Sequence, residues 1–182
     1  MLTNTAPKNS SFSAVINEVK INGQQSLAAA SYEQPLLIVF LRHLGCTFCR
    51  EATQDIVDQK EAIEAKGLKI VMVHMGKSAI ALDFFEKYGL ENTILISDPT
   101  KQLYRAFDLK RGTLGQLFGF KVWIRGFMAG IVNRHGIGRL QGDGLQMPGT
   151  FVLSNGEIVE AYRHKSAADR PNYLAIADCK CG

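Results

Sequence analysis

Two cysteines separated by two residues, Cys46-Thr47-Phe48-Cys49, are the side chains of this sequence best suited to chemistry. Arg42-His43-Leu44-Gly45 precedes them and Arg50 comes directly after. A thiolate is a far better nucleophile than a thiol, so what matters is whatever stabilises the anion. Upstream, the apolar run Leu36-Leu37-Ile38-Val39-Phe40-Leu41 reads as a strand buried on both faces. Downstream, Ala52, Ile56, Val57, Ala62 and Ile63 recur as one face of a helix that Gly67 ends. The pair therefore sits where a buried strand turns into the first turn of a helix. Free N–H groups and the helix dipole put partial positive charge there, which lowers a thiol below its free pKa of about 8.5. Arg42 and Arg50 add positive charge nearby. Cys46, nearer the helix start, is the expected attacker. Cys49, one helical turn on, is the expected resolver, close enough to close a disulfide.

The same C-x-x-C spacing supplies half of a tetrahedral zinc site, which needs a second Cys/His pair. Cys179 and Cys181 form such a pair, but their C-x-C spacing fits a zinc ribbon poorly, and no metal site is expected. Residues 179–182 read instead as a mobile tail. Its thiols are either incidental, or relay electrons to a Cys46–Cys49 disulfide, or hold a weak metal site shared by two chains.

The whole chain sets bounds on function. Its 182 residues suffice for one domain with a real core, and 46% hydrophobic with 21% charged residues is ordinary for a soluble protein. A net charge of +4 without a basic block gives no reason to expect nucleic acid. Four cysteines do not read as a disulfide framework, the N-terminus lacks the pattern of a signal peptide, and no apolar run reaches a membrane span. A reducing, cytoplasmic setting is expected, where C-x-x-C is more often catalytic than structural.

Several elements must position the pair. Residues 1–12 read as a loose leader and 13–178 as the domain. Asn22-Gly23 predicts a small hairpin between 18–21 and 24–27, while 13–17 is undecided between helix and loop. Leu68 to Met75 predicts a second buried strand, Ala79 to Tyr88 a helix capped by Ser78, and Ile94 to Ile96 a third strand. Pro99 suits the first position of a helix over 100–107. This alternation predicts an α/β sandwich with a parallel core. Residues 109–146 break the rhythm and read as a helical insertion over the core. Its basic, apolar part at 114–131 also suits a membrane-surface contact or a homodimer interface. A hairpin turning at Ser154-Asn155-Gly156 and a last helix over 172–178 complete the chain.

That order of elements resembles the thioredoxin fold. The segments FLRHLGCTFCRE, SDPTKQLYRAFDL, GD..LQ..GTFVL and AYRHKSAADRP, in this order, resemble the peroxiredoxin-like branch of the AhpC/TSA group over roughly residues 17–175. The resemblance implies a central mixed β-sheet with helices on both faces and a helical insertion before the last β-hairpin. It also implies thiol-dependent redox activity at Cys46 with Cys49 as partner thiol, without a cofactor. A hydroperoxide would be the substrate and a thioredoxin- or glutathione-type thiol the reductant. The chain departs from the family where a threonine three residues before the reactive cysteine is expected: His43 stands there. The family's later arginine is also missing, so Arg163 is the expected substitute. Pro148 is expected to face the sulfurs, although Gly149 separates it from Thr150. His43, Thr47, Pro148 and Arg163 are thus expected to support the cysteines, with His164 and Lys165 at a solvated strand end. Two other readings remain: a thioredoxin-like dithiol–disulfide oxidoreductase acting on proteins, and a non-catalytic thioredoxin-fold binding module.

Overall fold

The computed structural model describes residues 9–21, 23–113 and 143–179. Helix α1 (Asn9–Glu18) buries Phe12 and Ile16, four residues apart on one face. Residues 9–12, expected in the loose leader, are therefore helical. The Phe12 ring has a partner, packing edge-on to Phe107 at 5.2 Å. Strands β1 (Lys20–Ile21) and β2 (Gln25–Ser26) form the expected antiparallel hairpin, with Gly23 at positive φ in its turn. An unexpected helix, α2 (Leu27–Glu33), follows. Ser26 caps it by accepting from the Ala29 N–H, and its seven residues are too few for a periodic signal.

Strand β3 (Leu36–Phe40) leads through residues 41–46 into α3 (Thr47–Glu64). β4 (Lys69–His74), α4 (Ser78–Glu86) and β5 (Ile94–Ser97) come next, with Lys77 rather than Ser78 at the α4 cap. Helix α5 (Gln102–Ala106) starts later than Pro99 suggested, because Lys101 is left-handed at φ 59°. Its start is held by Asp98, whose carboxylate accepts from the backbone N–H groups of Gln102 and Leu103 at 2.9 and 2.8 Å. β6 (Gly149–Ser154) and β7 (Glu157–Arg163) form the last hairpin, turning through Asn155 and Gly156, both at positive φ. Asn172 caps the final helix, α6 (Tyr173–Ala177). Most of the expected insertion, including the 114–131 stretch proposed for a dimer or membrane contact, lies outside the described residues.

The main sheet has the order β5-β4-β3-β6-β7, with β3, β4 and β5 parallel and β6 and β7 antiparallel. β3 is buried throughout, and alternation sends its side chains into two layers. Leu36, Ile38 and Phe40 pack with residues of α1, α2 and α5, whereas Leu37 and Val39 pack with residues of α3, α4 and α6. Both cysteines belong to the second layer. At the end of β3, the buried Tyr104 hydroxyl donates to the Leu41 carbonyl at 2.5 Å. That bond sets where the chain leaves the sheet, immediately before Arg42. Among the described residues no helix is long and apolar enough to cross a membrane.

Candidate functional site: a buried cysteine pair at a helix start

Cys46 occupies the N-cap of α3 in an extended conformation, φ −78° and ψ 128°. The turn before it is closed by its own N–H, which donates to the His43 carbonyl at 3.0 Å. The Cys46 carbonyl accepts the first helical bond, from Arg50 N–H at 3.0 Å. An N-cap side chain lies beside free N–H groups, the placement that favours an anionic sulfur.

One residue touches both sulfurs. Arg42 donates from Nη2 to Cys46 Sγ at 2.9 Å and from its backbone N–H to Cys49 Sγ at 3.2 Å. Its Nη1 donates to the Gly144 carbonyl at 3.1 Å, so the guanidinium is held from two sides. The Cys46 thiol titrates well below the usual range: a hydrogen bond from Cys49 outweighs burial, and the Arg42 charge and hydrogen bond reinforce it. Cys49 moves the other way, pushed up chiefly by burial and further by donating to and lying beside the Cys46 anion. The pair is thus polarised into a thiolate and a thiol. Both are free cysteines, and Cys46 is only 5% exposed.

His43 is buried next to them. Burial lowers its pKa, against the pull of the Cys46 anion, and its Nδ1 has no hydrogen-bond partner among the described residues. Thr47 is buried at the first helical position. Pro148 lines the cleft over Cys46 with Phe48, Ala52, Ala167 and Pro171. Its enclosed volume is about 20 Å³, space for about one water-sized group. His164 also lines this cleft, and burial pushes its pKa down to about 4, so it does not bring the positive charge that a solvated strand end would carry.

Arg163 lies elsewhere. Its guanidinium donates to the Phe107 carbonyl at 3.1 Å and stacks over Phe151 at 5.0 Å, both residues of the opposite layer. The expected substitute for a thiolate-binding arginine is instead Arg42, which the sequence marked only as nearby positive charge. β7 alternates its side chains, and the register that pairs Arg163 with Gly149 turns Arg163 toward Phe107. Cys179 packs against the same layer as Cys46, and Cys181 lies outside the described residues. Sequence reasoning also missed an ion cluster below the site. Arg170 holds the buried Asp55 through Nε at 2.7 Å and through Nη2, and reaches Glu51 at 3.4 Å. Its signal was present: two acids four apart on the buried side of α3, and one arginine in the ADRP segment.

Known proteins resemble the chain in sequence and in fold. The profile of the AhpC/TSA antioxidant enzyme family matches residues 55–167, beginning after the two cysteines. Peroxiredoxin-like 2A of Mus musculus is 27% identical over 144 residues, covering 78% of this chain and 64% of the relative. Prostamide/prostaglandin F synthase of Danio rerio is 27% identical over 146 residues, covering 76% of this chain and 70% of the relative. The chain thus spans under two thirds of the length of the mouse relative. Among solved structures, peroxiredoxin Q of Xanthomonas campestris superposes with a TM-score of 0.57 at 24% identity, covering 82% of each chain. That likeness shows a shared thioredoxin fold. With its mixed sheet, its flanking helices and a profile match over most of its length, the chain belongs to the AhpC/TSA antioxidant enzyme family.

Proposed function

We propose that the protein is a two-cysteine thiol peroxidase. The Cys46 thiolate attacks the terminal oxygen of a hydroperoxide: an S–O bond forms, the O–O bond breaks, and the alkoxide leaves and takes a proton as alcohol or water. Sulfur is oxidised by two electrons to a sulfenic acid and the peroxide is reduced by the same two. Cys49 then attacks that sulfur, an S–S bond forms, and water leaves with the Cys49 proton. An external thiol reductant, one dithiol of the thioredoxin type or two monothiols of the glutathione type, reduces the disulfide and is itself oxidised to a disulfide. Such a cycle suits a thiol-reducing compartment such as the cytoplasm.

The observation that carries this reading is the polarised pair, with Arg42 Nη2 2.9 Å from Cys46 Sγ and the thiol of Cys49 donating to the same sulfur. His43 is buried, and its carbonyl closes the turn before Cys46 by accepting from the Cys46 N–H. Burial favours a small oxidant over a protein disulfide, since a second protein has little access to a sulfur 5% exposed. The small cleft favours a small peroxide such as hydrogen peroxide, and the similarity to prostaglandin F synthases is the reason to set an organic peroxide beside it. The test is consumption of hydrogen peroxide and of cumene hydroperoxide by the reduced protein with a thioredoxin system. Wild type should turn over hydrogen peroxide, at least as fast as the organic peroxide, and Cys46→Ser neither. Reduction of insulin without peroxide, together with no peroxide turnover, would support dithiol–disulfide exchange instead.

A further inference from the structure

A second cluster lies beside the site and has no part in the chemistry just described. The chain at 143–147 is pinned to the chain at 109–112: Gly112 N–H donates to the Leu145 carbonyl at 2.7 Å, Met147 N–H to Lys110 at 3.1 Å, and Gln146 Nε2 to Leu109 at 2.8 Å. At its head stands Asp143, whose carboxylate takes Lys101 Nζ at 2.8 Å, Arg111 Nε at 3.1 Å and the Leu145 N–H at 2.9 Å. Burial opposes ionisation there, but the Lys101 bond, with Leu145 and the two cations, keeps its pKa below the ordinary carboxylate value. The next residue, Gly144, presents the carbonyl that receives Arg42 Nη1 at 3.1 Å.

We propose that Asp143 is a positioning residue for the reactive cysteine: it locks the 143–146 turn so that the Gly144 carbonyl holds the Arg42 guanidinium against Cys46 Sγ. A long arginine side chain has many rotamers, and a single contact to sulfur leaves most of them open. The carbonyl supplies a second point, and two points define the plane of the guanidinium. Asp143 fixes that carbonyl from both directions, through Lys101 at the start of α5 and through Arg111 on the adjoining chain. Among the described residues, Arg42, His43 and Cys49 act on Cys46 directly, Glu51, Asp55, His164, Asp169 and Arg170 line the same cleft, and Asp143 acts through Arg42 alone.

The inference rests on Cys46 being the reacting thiolate, and it is tested without peroxide. Full-length protein is treated with iodoacetamide across pH, and the rate at Cys46 is read from the mass of its peptide. In wild type Cys46 should remain reactive below pH 7; failure of that alone would refute the thiolate reading. Asp143→Ala should slow alkylation at pH 6 by about tenfold, the scale of one cation withdrawn from an anion at a few ångströms. Arg42→Gln should slow it at least as much, and adding Asp143→Ala to Arg42→Gln should change nothing further. Lys101→Met, which frees Asp143 from its other side, gives the same test by a milder change. Should Asp143→Ala and Lys101→Met both keep the wild-type pH profile while Arg42→Gln loses it, the positioning role is refuted. The same follows if Asp143→Ala has its full effect in the Arg42→Gln background.

Discussion

Replacing Arg170 by alanine should destabilise the protein by about 2–3 kcal/mol, and the structure sets that scale. Arg170 binds Asp55 through Nε and Nη2 and Glu51 through Nη1, and the two acid side chains are only 7% exposed. Removing one partner of a buried ion pair costs about 3–5 kcal/mol, because a charge is left in the interior. A fully exposed pair is worth about 0–1 kcal/mol. The Arg170 side chain is 49% exposed, so water already screens its end of the pair and the cost falls between these limits. Glu51 and Asp55 are also four apart on α3, where uncompensated like charges repel. Urea unfolding reads the result: with a slope of about 1–3 kcal/mol per molar for a small domain, the midpoint should drop by about 1 M. Adding Asp55→Asn to Arg170→Ala should recover part of the loss, since an amide does not leave a bare charge. A single variant within 0.5 kcal/mol of wild type, or a double variant no better than the single, would refute the reasoning.

Three further outcomes are expected. After one equivalent of peroxide and then iodoacetamide, neither Cys46 nor Cys49 should carry label; label on both would defeat the disulfide step. Burial holds the His74 pKa at about 4, so its contribution to stability is complete above about pH 6.5 and is lost as pH falls toward 4. That loss is on the order of 3 kcal/mol; His74→Gln should lose correspondingly less on acidification, and equal acid slopes would refute the assignment. A methyl group at Gly149 would meet Leu109 Cδ2 at 2.7 Å and Phe151 Cε2 at 2.9 Å, both in the core. Gly149→Ala should therefore cost about 1–3 kcal/mol by thermal unfolding; an unchanged melting temperature would show that the neighbours yield freely.

Much of this arrangement is legible in the sequence wherever the signal is local. The 36–41 run, the C-x-x-C after it and the Asn155-Gly156 turn each depend on neighbouring residues, and each appears where expected. α2 escaped notice because seven residues, mostly alanine and polar, carry no distinct period. The start of α5 was misjudged because Pro99 is a general signal, whereas the Asp98 carboxylate made a specific cap two residues later. The arginine at the thiolate was misassigned for a different reason. Arg42 and Arg163 are both near a strand end that approaches the cysteines, and only the register of β7 and the Gly144 carbonyl distinguish them. A contact spanning a hundred residues, such as Arg42 to Gly144, leaves no trace in spacing.

Arg42 meets the two sulfurs through electronically separate ends, a side-chain N–H on Cys46 and a main-chain N–H on Cys49. Each oxidation step should therefore leave its own mark in a nitrogen-15 spectrum. Formation of a sulfenic acid removes the negative acceptor facing Nη2 and should move the guanidinium resonance, leaving the amide almost still. Closure of a disulfide changes the acceptor at Cys49 as well and should move the amide. A single labelled arginine would then keep time for the proposed cycle, and the interval between its two signals would measure how long the first oxidised form survives before its partner captures it.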